Sequence, residues 1–334
     1  MGVKLVLAGR LRRDTLLPAS GRPLIDVPGG DLLYTASGCA IWGQIPGLLA
    51  RVGEDYPHEW LHDLQGRGFE TGGIRVVTDP LDLRHFQAAL DLERIQTTNP
   101  VAHFARLGLP FPKSLLGYQP GLGEEDDRRS FQPASPRPAD IPAEYLEAHA
   151  VHYCPLDYLT VSRLSSAFRD AGTTTQTLDP AAAIMVPEAI DDLRLLLRGL
   201  TACLPSEREV KALFWGRTND LWQMAEELGS WGCEFIVIQR GGRGQLLYDS
   251  ISKKKWEVPA YPGRPVDLTG TSAAFCGGFL AGYQEGYDPL HGVLCGNVSA
   301  SLTAEGSGAF HALETLPGLA QARLGSLGSL VRSV

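Results

Sequence analysis

Short strand-like runs alternate with longer helical patterns along this chain, and that alternation constrains its fold more than any other feature. Val3–Ala8, Ala150–Tyr153, Thr174–Leu178 and Phe235–Gln239 are short, strand-like runs. Leu156–Ala171, Pro187–Leu200, Asn219–Leu228 and Ser272–Tyr283 show the spacing of helices, several opening at Pro or closing at Gly. Strands that alternate with helices of this length predict a mostly parallel sheet covered on both faces. At 334 residues the chain accommodates one large α/β domain with an added lid. The Pro-rich, charged stretch from Gln119 to Pro142 reads as a surface insertion or mobile loop rather than a domain boundary.

Composition removes several function classes. With 44% hydrophobic and 20% charged residues the chain has material for a packed core and is not intrinsically disordered. Its formal charge of −8 argues against duplex nucleic acid as the main partner, because phosphate contacts need clustered Lys and Arg. A small phosphorylated ligand held by backbone amides stays compatible with that charge. Six scattered cysteines form no C-x-x-C pair, so buried free thiols in a reducing compartment are expected. The apolar run at the N-terminus is too short for a signal peptide, and no stretch approaches the ~20 apolar residues of a membrane helix. A cytoplasmic protein with neither membrane nor nucleic-acid partner is the expectation.

One motif points to metal chemistry. His58-Glu59-Trp60-Leu61-His62 matches H-E-x-x-H, in which two histidines on one helical face bind zinc and the glutamate acts as base. Pro57 suits the first helical position, so the helix runs to about Gln65 with Trp60, Leu61 and Leu64 as its apolar stripe. At ~100° per residue the His58/His62 edge lies far from that stripe and is predicted to be solvated. A zinc peptidase is therefore a remote alternative.

The stretch richest in chemistry is Asp267-Leu-Thr-Gly-Thr-Ser-Ala-Ala-Phe-Cys-Gly-Gly-Phe279. An acidic residue and a Gly turn lead into a helix, whose first amides and positive dipole end suit an anion. Gly270 permits a left-handed turn and close approach of a phosphate. Gly277 and Gly278 permit tight packing against a neighbouring element. The same residues also describe a capped, closely packed core helix.

This stretch resembles, without a gap, the C-terminal signature D-T-x-G-A-G-D-A-F-x-G-G-F of the ribokinase/PfkB carbohydrate kinases. Five further blocks resemble family motifs in order. They are Gly9–Asp14, Val27–Gly30 with Ala36, Ala40 and Gly43, Arg51–Asp55 with Gly66 and Gly68, Leu204–Glu209, and Gln239–Gly244. The resemblance implies an α/β ribokinase-like three-layer sandwich with a mostly parallel central sheet and a small β lid. Residues 1–10, 34–72 and 117–334 would form the large domain, and residues 11–33 and 73–116 the lid. It further implies transfer of the ATP γ-phosphoryl group, assisted by Mg²⁺, to a hydroxyl of a sugar-like or nucleoside ligand. A homodimer through the lid would be in keeping. By the same resemblance Gly270, Thr271 and Ser272 form the anion hole. Arg12, Asp14, Gly29, Gly30 and Tyr34 surround the acceptor. Ser206, Glu209, Gln239, Gly241, Gly244, Asp267 and Asn297 lie near nucleotide or Mg²⁺. Arg84 and Arg94 fall on the lid, where they either meet an anionic substrate or are solvated.

The departures from the family pattern fall on the chemistry. Ala273 occupies the position of the carboxylate that takes the acceptor's proton, and alanine cannot titrate. A positioned base contributes roughly 10²–10⁴ in rate, or about 3–5 kcal/mol. Thr271 and Ser272 replace Ala-Gly, Ser206 replaces Asn, Gln239 and Arg240 replace Thr-Leu, and Arg12 and Tyr34 stand where Asn is usual. So many changes argue for natural divergence over a single engineered substitution. The expected activity is a sugar or nucleoside kinase with weak or absent turnover, and the alternative is a non-catalytic nucleotide- or sugar-binding sensor or scaffold.

Overall fold

The computed structural model describes residues 2–92, 94–120 and 126–334. In chain order the elements are β1 (Leu5–Ala8), β2 (Arg12–Leu17), β3 (Leu24–Gly29), α1 (Asp31–Ala40), β4 (Gly47–Gly53), α2 (His58–Gly66), β5 (Glu70–Val77), β6 (Arg84–Ala89), β7 (Ile95–Gln96) and α3 (Pro100–Arg106). The second half adds β8 (Ala150–Tyr153), α4 (Tyr158–Asp170), β9 (Thr175–Leu178), α5 (Ile190–Leu197), β10 (Ala202–Cys203), α6 (Glu207–Leu213), α7 (Leu221–Ser230) and β11 (Phe235–Gln239). It ends with β12 (Gln245–Asp249), β13 (Lys255–Val258), α8 (Thr271–Gly286), α9 (Pro289–Ala304), α10 (Leu319–Leu327) and β14 (Arg332–Ser333).

Ten strands form one sheet in the order β14-β13-β12-β11-β10-β9-β8-β1-β4-β5. From β5 to β11 all neighbours are parallel, and β11 to β14 pair antiparallel. Parallel strands must be covered on both faces, and β1 shows why its run is continuously apolar. Val6 and Ala8 pack in the layer of α4 to α7, whereas Leu5 and Leu7 pack in the layer of α1, α8 and α9. The antiparallel end makes the sheet mostly rather than wholly parallel, since the Gly241–Gly244 turn folds β12 straight back on β11.

A second sheet, ordered β3-β2-β6-β7, makes the lid. It is smaller than the boundaries expected from sequence. Residues 73–77 belong to β5 in the large sheet, and residues 31–33 already belong to α1. One face of this sheet packs Phe86 and Ala88 against Phe104 and Leu115. The Pro-rich stretch is not slack where it is described. Arg51 makes a double hydrogen bond to Asp140 (2.6 and 3.0 Å), Arg10 donates to Gln132, and Asp126 accepts from the Tyr158 amide. Residues 121–125 of that stretch lie outside the described residues. All six cysteines are free and buried, and no helix among the described residues is long and apolar enough to cross a membrane.

Helix α8 is held between α1 and α9 by glycines on two of its sides. A Cβ at Gly277 would fall inside the van der Waals shell of the Thr35 carbonyl oxygen on α1, and one at Gly278 would meet Ser299 and Cys295 on α9. His152, at the centre of β8, is fully buried. Its Nδ1 pairs with Thr177 Oγ1 at 2.9 Å, and its Nε2 has no partner among the described residues. Burial pushes its pKa from 6.5 down to about 3. The unfolded chain therefore binds a proton that the folded chain refuses, and stability falls as pH drops below 6.5, by up to about 1.4 kcal/mol per unit. The His152→Asn variant, which keeps a partner for Thr177, is expected to flatten that loss. Denaturation midpoints at neutral pH and at about pH 4.5 check this, and parallel slopes for the two proteins would refute it.

Candidate active site

Strand β1 is flanked by β4, which follows the first part of the lid, and by β8, which follows the second. The chain winds from β1 to β4 and β5 on one side and then from β8 to β9 and β10 on the other, so the crevice beyond the carboxyl ends of β1 and β8 is where a doubly wound sheet receives ligand. The N-terminus of α8 and the inner face of the lid meet there.

The turn before α8 has the form expected from sequence. Gly270 caps the helix at φ 73°, and the Ala274 amide bonds back to its carbonyl at 2.9 Å. Asp267 is buried, and its Oδ1 accepts from the amide (2.9 Å) and hydroxyl (2.7 Å) of Thr269. Its Oδ2 has no partner among the described residues. Helix geometry leaves the amides of the first turn without acceptors inside the helix. Thr271 turns its hydroxyl onto the Leu268 carbonyl, and Ser272 donates to Gln239 Oε1 at 3.1 Å. Gln239 in turn donates to the Leu204 carbonyl. Ala273 is only 3% exposed, and presents a methyl group where the resemblance places a carboxylate.

Tyr34, on α1, lies directly over Gly270; a Cβ there would sit in its ring. Its hydroxyl is buried without a partner among the described residues. Burial first, then Asp14, Asp267 and Asp31, push its pKa well up, so the phenol stays protonated. Asp14, on β2, is 2% exposed; its Oδ2 accepts from the Gly30 amide at 3.3 Å and its Oδ1 pairs with His85 Nδ1 at 3.2 Å. Gly29 is required here because a Cβ would collide with the Asp14 carboxylate. Arg12 leaves the same strand and lines, with Arg10, Leu11 and Gln132, a cleft of about 270 Å³ at the lid's root.

The lid reaches the turn through Gln87, whose Nε2 donates to Thr269 Oγ1 at 2.5 Å. Sequence reading missed both Gln87 and His85. The signal was present in the alternation of polar His85 and Gln87 with apolar Phe86 and Ala88 along β6, which marks two different faces. Arg84 does not face this site. It forks onto Asp82 and donates to the Ser114 and Leu116 carbonyls, while Arg94 pairs with Asp91 on the surface.

On the expected nucleotide side, Ser206 and Glu209 form a reciprocal capping box at the start of α6, the Ser206 amide donating to Glu209 Oε2 at 2.7 Å. Gly241 and Gly244 hold positive φ in the β11–β12 turn. Asn297 is fully used as an anchor, accepting from the Tyr261 amide and donating to Gln245 Oε1 and the Pro259 carbonyl. Asp179, not anticipated from sequence, follows β9 and is buried. Desolvation, reinforced by Glu209 and Asp31, holds its carboxyl well above the usual carboxylate range, and burial raises Glu209 as well. His58, Glu59 and His62 are all exposed on α2, which starts one residue later than expected with Pro57 as its cap.

Comparison with known proteins agrees with this geometry. Residues 119–316 match the pfkB family of carbohydrate kinases. A cytidine kinase of Thermococcus kodakarensis is 29% identical over 282 residues, covering 84% of this chain and 89% of that protein. A Burkholderia thailandensis nucleoside kinase in complex with inosine superposes with a TM-score of 0.70 at 16% identity, over 97% of this chain and 99% of that one. An Escherichia coli chain assigned as a ribokinase II, in complex with ATP and Mg²⁺, superposes with a TM-score of 0.70 at 17% identity and the same coverage.

Proposed function

The chain belongs to the pfkB family of carbohydrate kinases, and from that premise we propose that it is an ATP-dependent phosphotransferase for a sugar or nucleoside hydroxyl, slowed by the absence of a carboxylate at position 273. The observation that carries the reading is the α8 tip. A glycine-capped helix start faces the lid at the sheet's switch point, and the buried side chain in its first turn is the methyl of Ala273. Phosphoryl transfer depends chiefly on positioning and electrostatics, so such a tip retains much of what the reaction needs. The Thermococcus cytidine kinase and the inosine-bound nucleoside kinase favour a nucleoside over a plain sugar as acceptor.

The residues fit a Mg²⁺ ion. Mg²⁺ needs only one or two protein carboxylates alongside phosphates and water, and Asp179 is a buried carboxyl whose charge is disfavoured by desolvation and by Glu209, a cost that a bound cation would relieve. Bound there, Mg²⁺ would neutralise developing charge on the nucleotide's phosphate oxygens. The chain's own contributions are the α8 amides, Ser272 fixed by Gln239, and a lid that seats Gln87 on the turn and excludes water.

The second reading, a non-catalytic nucleotide sensor, is favoured by the Tyr34 ring seated over Gly270. Thermal unfolding with Mg·ATP and a panel of ribonucleosides and pentoses tests the shared premise. Both readings expect a higher midpoint, worth about 2.7 kcal/mol at a hundred times the dissociation constant. No shift with any nucleotide removes both, and a shift without detectable phosphate ester removes the kinase.

A further inference from the structure

We propose that His85, held by Asp14, is the proton acceptor of this site, standing in for the carboxylate that position 273 lacks. The inference rests on the phosphotransferase reading above and adds a catalytic residue to it.

Asp14 and His85 are direct neighbours in the parallel register of β2 and β6, so their side chains share the lid's inner face. Asp14 cannot swing away, being 2% exposed with Oδ2 on the Gly30 amide. Its Oδ1 lies 3.2 Å from His85 Nδ1. A carboxylate only accepts hydrogen bonds, so this pairing puts the imidazole's proton on Nδ1 and leaves a lone pair on Nε2. The His85 side chain is 18% exposed, partly open where Asp14 is closed. Two residues further on the same face, Gln87 donates to Thr269 in the turn that opens α8. A two-residue step along a strand is about 7 Å, which leaves room for an acceptor between the imidazole and the anion turn.

The step balances without an added reagent. The acceptor oxygen bonds to the γ-phosphorus of a nucleoside triphosphate, and the bond from that phosphorus to the bridging oxygen breaks. The nucleoside diphosphate leaves with the electron pair. The hydroxyl proton passes to His85 Nε2, and the imidazolium later returns it to water.

Initial rates of ADP release with ATP and the ribonucleoside and pentose panel test the proposal in the full chain. His85→Gln is expected to lower turnover about a hundredfold while the thermal shift with Mg·ATP is retained. Asp14→Asn should lower it comparably by releasing the ring's orientation. In His85→Ala, added imidazole is expected to restore part of the rate, a response that a purely structural role would not give. A parent protein that turns over, with His85→Gln at the parent rate, overturns the dyad and leaves the phosphotransferase reading standing. Failure of imidazole to rescue a folded, nucleotide-binding His85→Ala also overturns the dyad. A parent protein that forms no phosphate ester overturns both.

Discussion

Ala273→Asp is expected to raise the rate of phosphoryl transfer by about 10²-fold, near 3 kcal/mol in activation free energy. Position 273 is the third residue of α8 after the Gly270 cap, where the helix dipole favours a negative charge. The site is buried, and Asp267 and Asp14 both act on Tyr34 over the same turn. Desolvation and those like charges would lift the new carboxyl's pKa, which suits a base working near neutral pH. With a carboxylate beside the phosphate the reaction no longer needs a base on the lid. The variant's rate is therefore expected to become indifferent to His85→Gln. Initial rates of ADP release for the parent, both single variants and the double variant check this. A folded Ala273→Asp protein no faster than the parent would place the lesion elsewhere, with Tyr34 over Gly270 the first suspect. Strictly additive effects of the two substitutions would show that they do not share one role.

The largest stability loss is expected at Gly277. A Cβ there meets the Thr35 carbonyl and the Cys39 amide, which are backbone atoms of α1 and cannot rotate away. Gly277→Ala must separate α1 from α8, at a cost of about 3 kcal/mol, and Gly277→Val more. Gly286, in the last turn of the same helix, has nothing within 4 Å of an added Cβ, so Gly286→Ala should be neutral or mildly stabilising. Denaturant midpoints of the three variants against the parent decide the matter. Equal midpoints for Gly277→Ala and Gly286→Ala would mean the helix contact is not close. Activity should fall with the Gly277 variants too, because α1 carries Tyr34 and α8 carries the anion turn.

Local pattern carried much of the fold. Strands at Ala150–Tyr153 and Phe235–Gln239 agree with expectation to the residue, and α8 differs only by fraying outward at both ends. The α5 region was less legible. Its first turn, Pro187–Ala189, is a 3₁₀ helix, and α5 proper stops at Leu197. The antiparallel strands β12 and β13 were not legible, because the Gly241–Gly244 turn that returns β12 onto β11 carries glycines that suit a phosphate loop as well as a hairpin. The exposure of the H-E-x-x-H pair followed from helical angle alone.

The sequence by itself determined the class of sheet, the glycine-capped start of α8 and the missing carboxylate, because each rests on residues adjacent in the chain or repeated at helical or strand period. Only the tertiary structure decided that Tyr34 covers Gly270, that Asp14 pairs with His85, that Gln87 joins the lid to the turn, and that Asp179 shares the interior with Glu209. The first three pairs lie between about 70 and 240 residues apart, and Asp179 and Glu209, 30 apart, sit on successive units of the sheet. Their meeting depends on strand register and on how closely α1 approaches α8, and neither quantity is written in the spacing of any single segment.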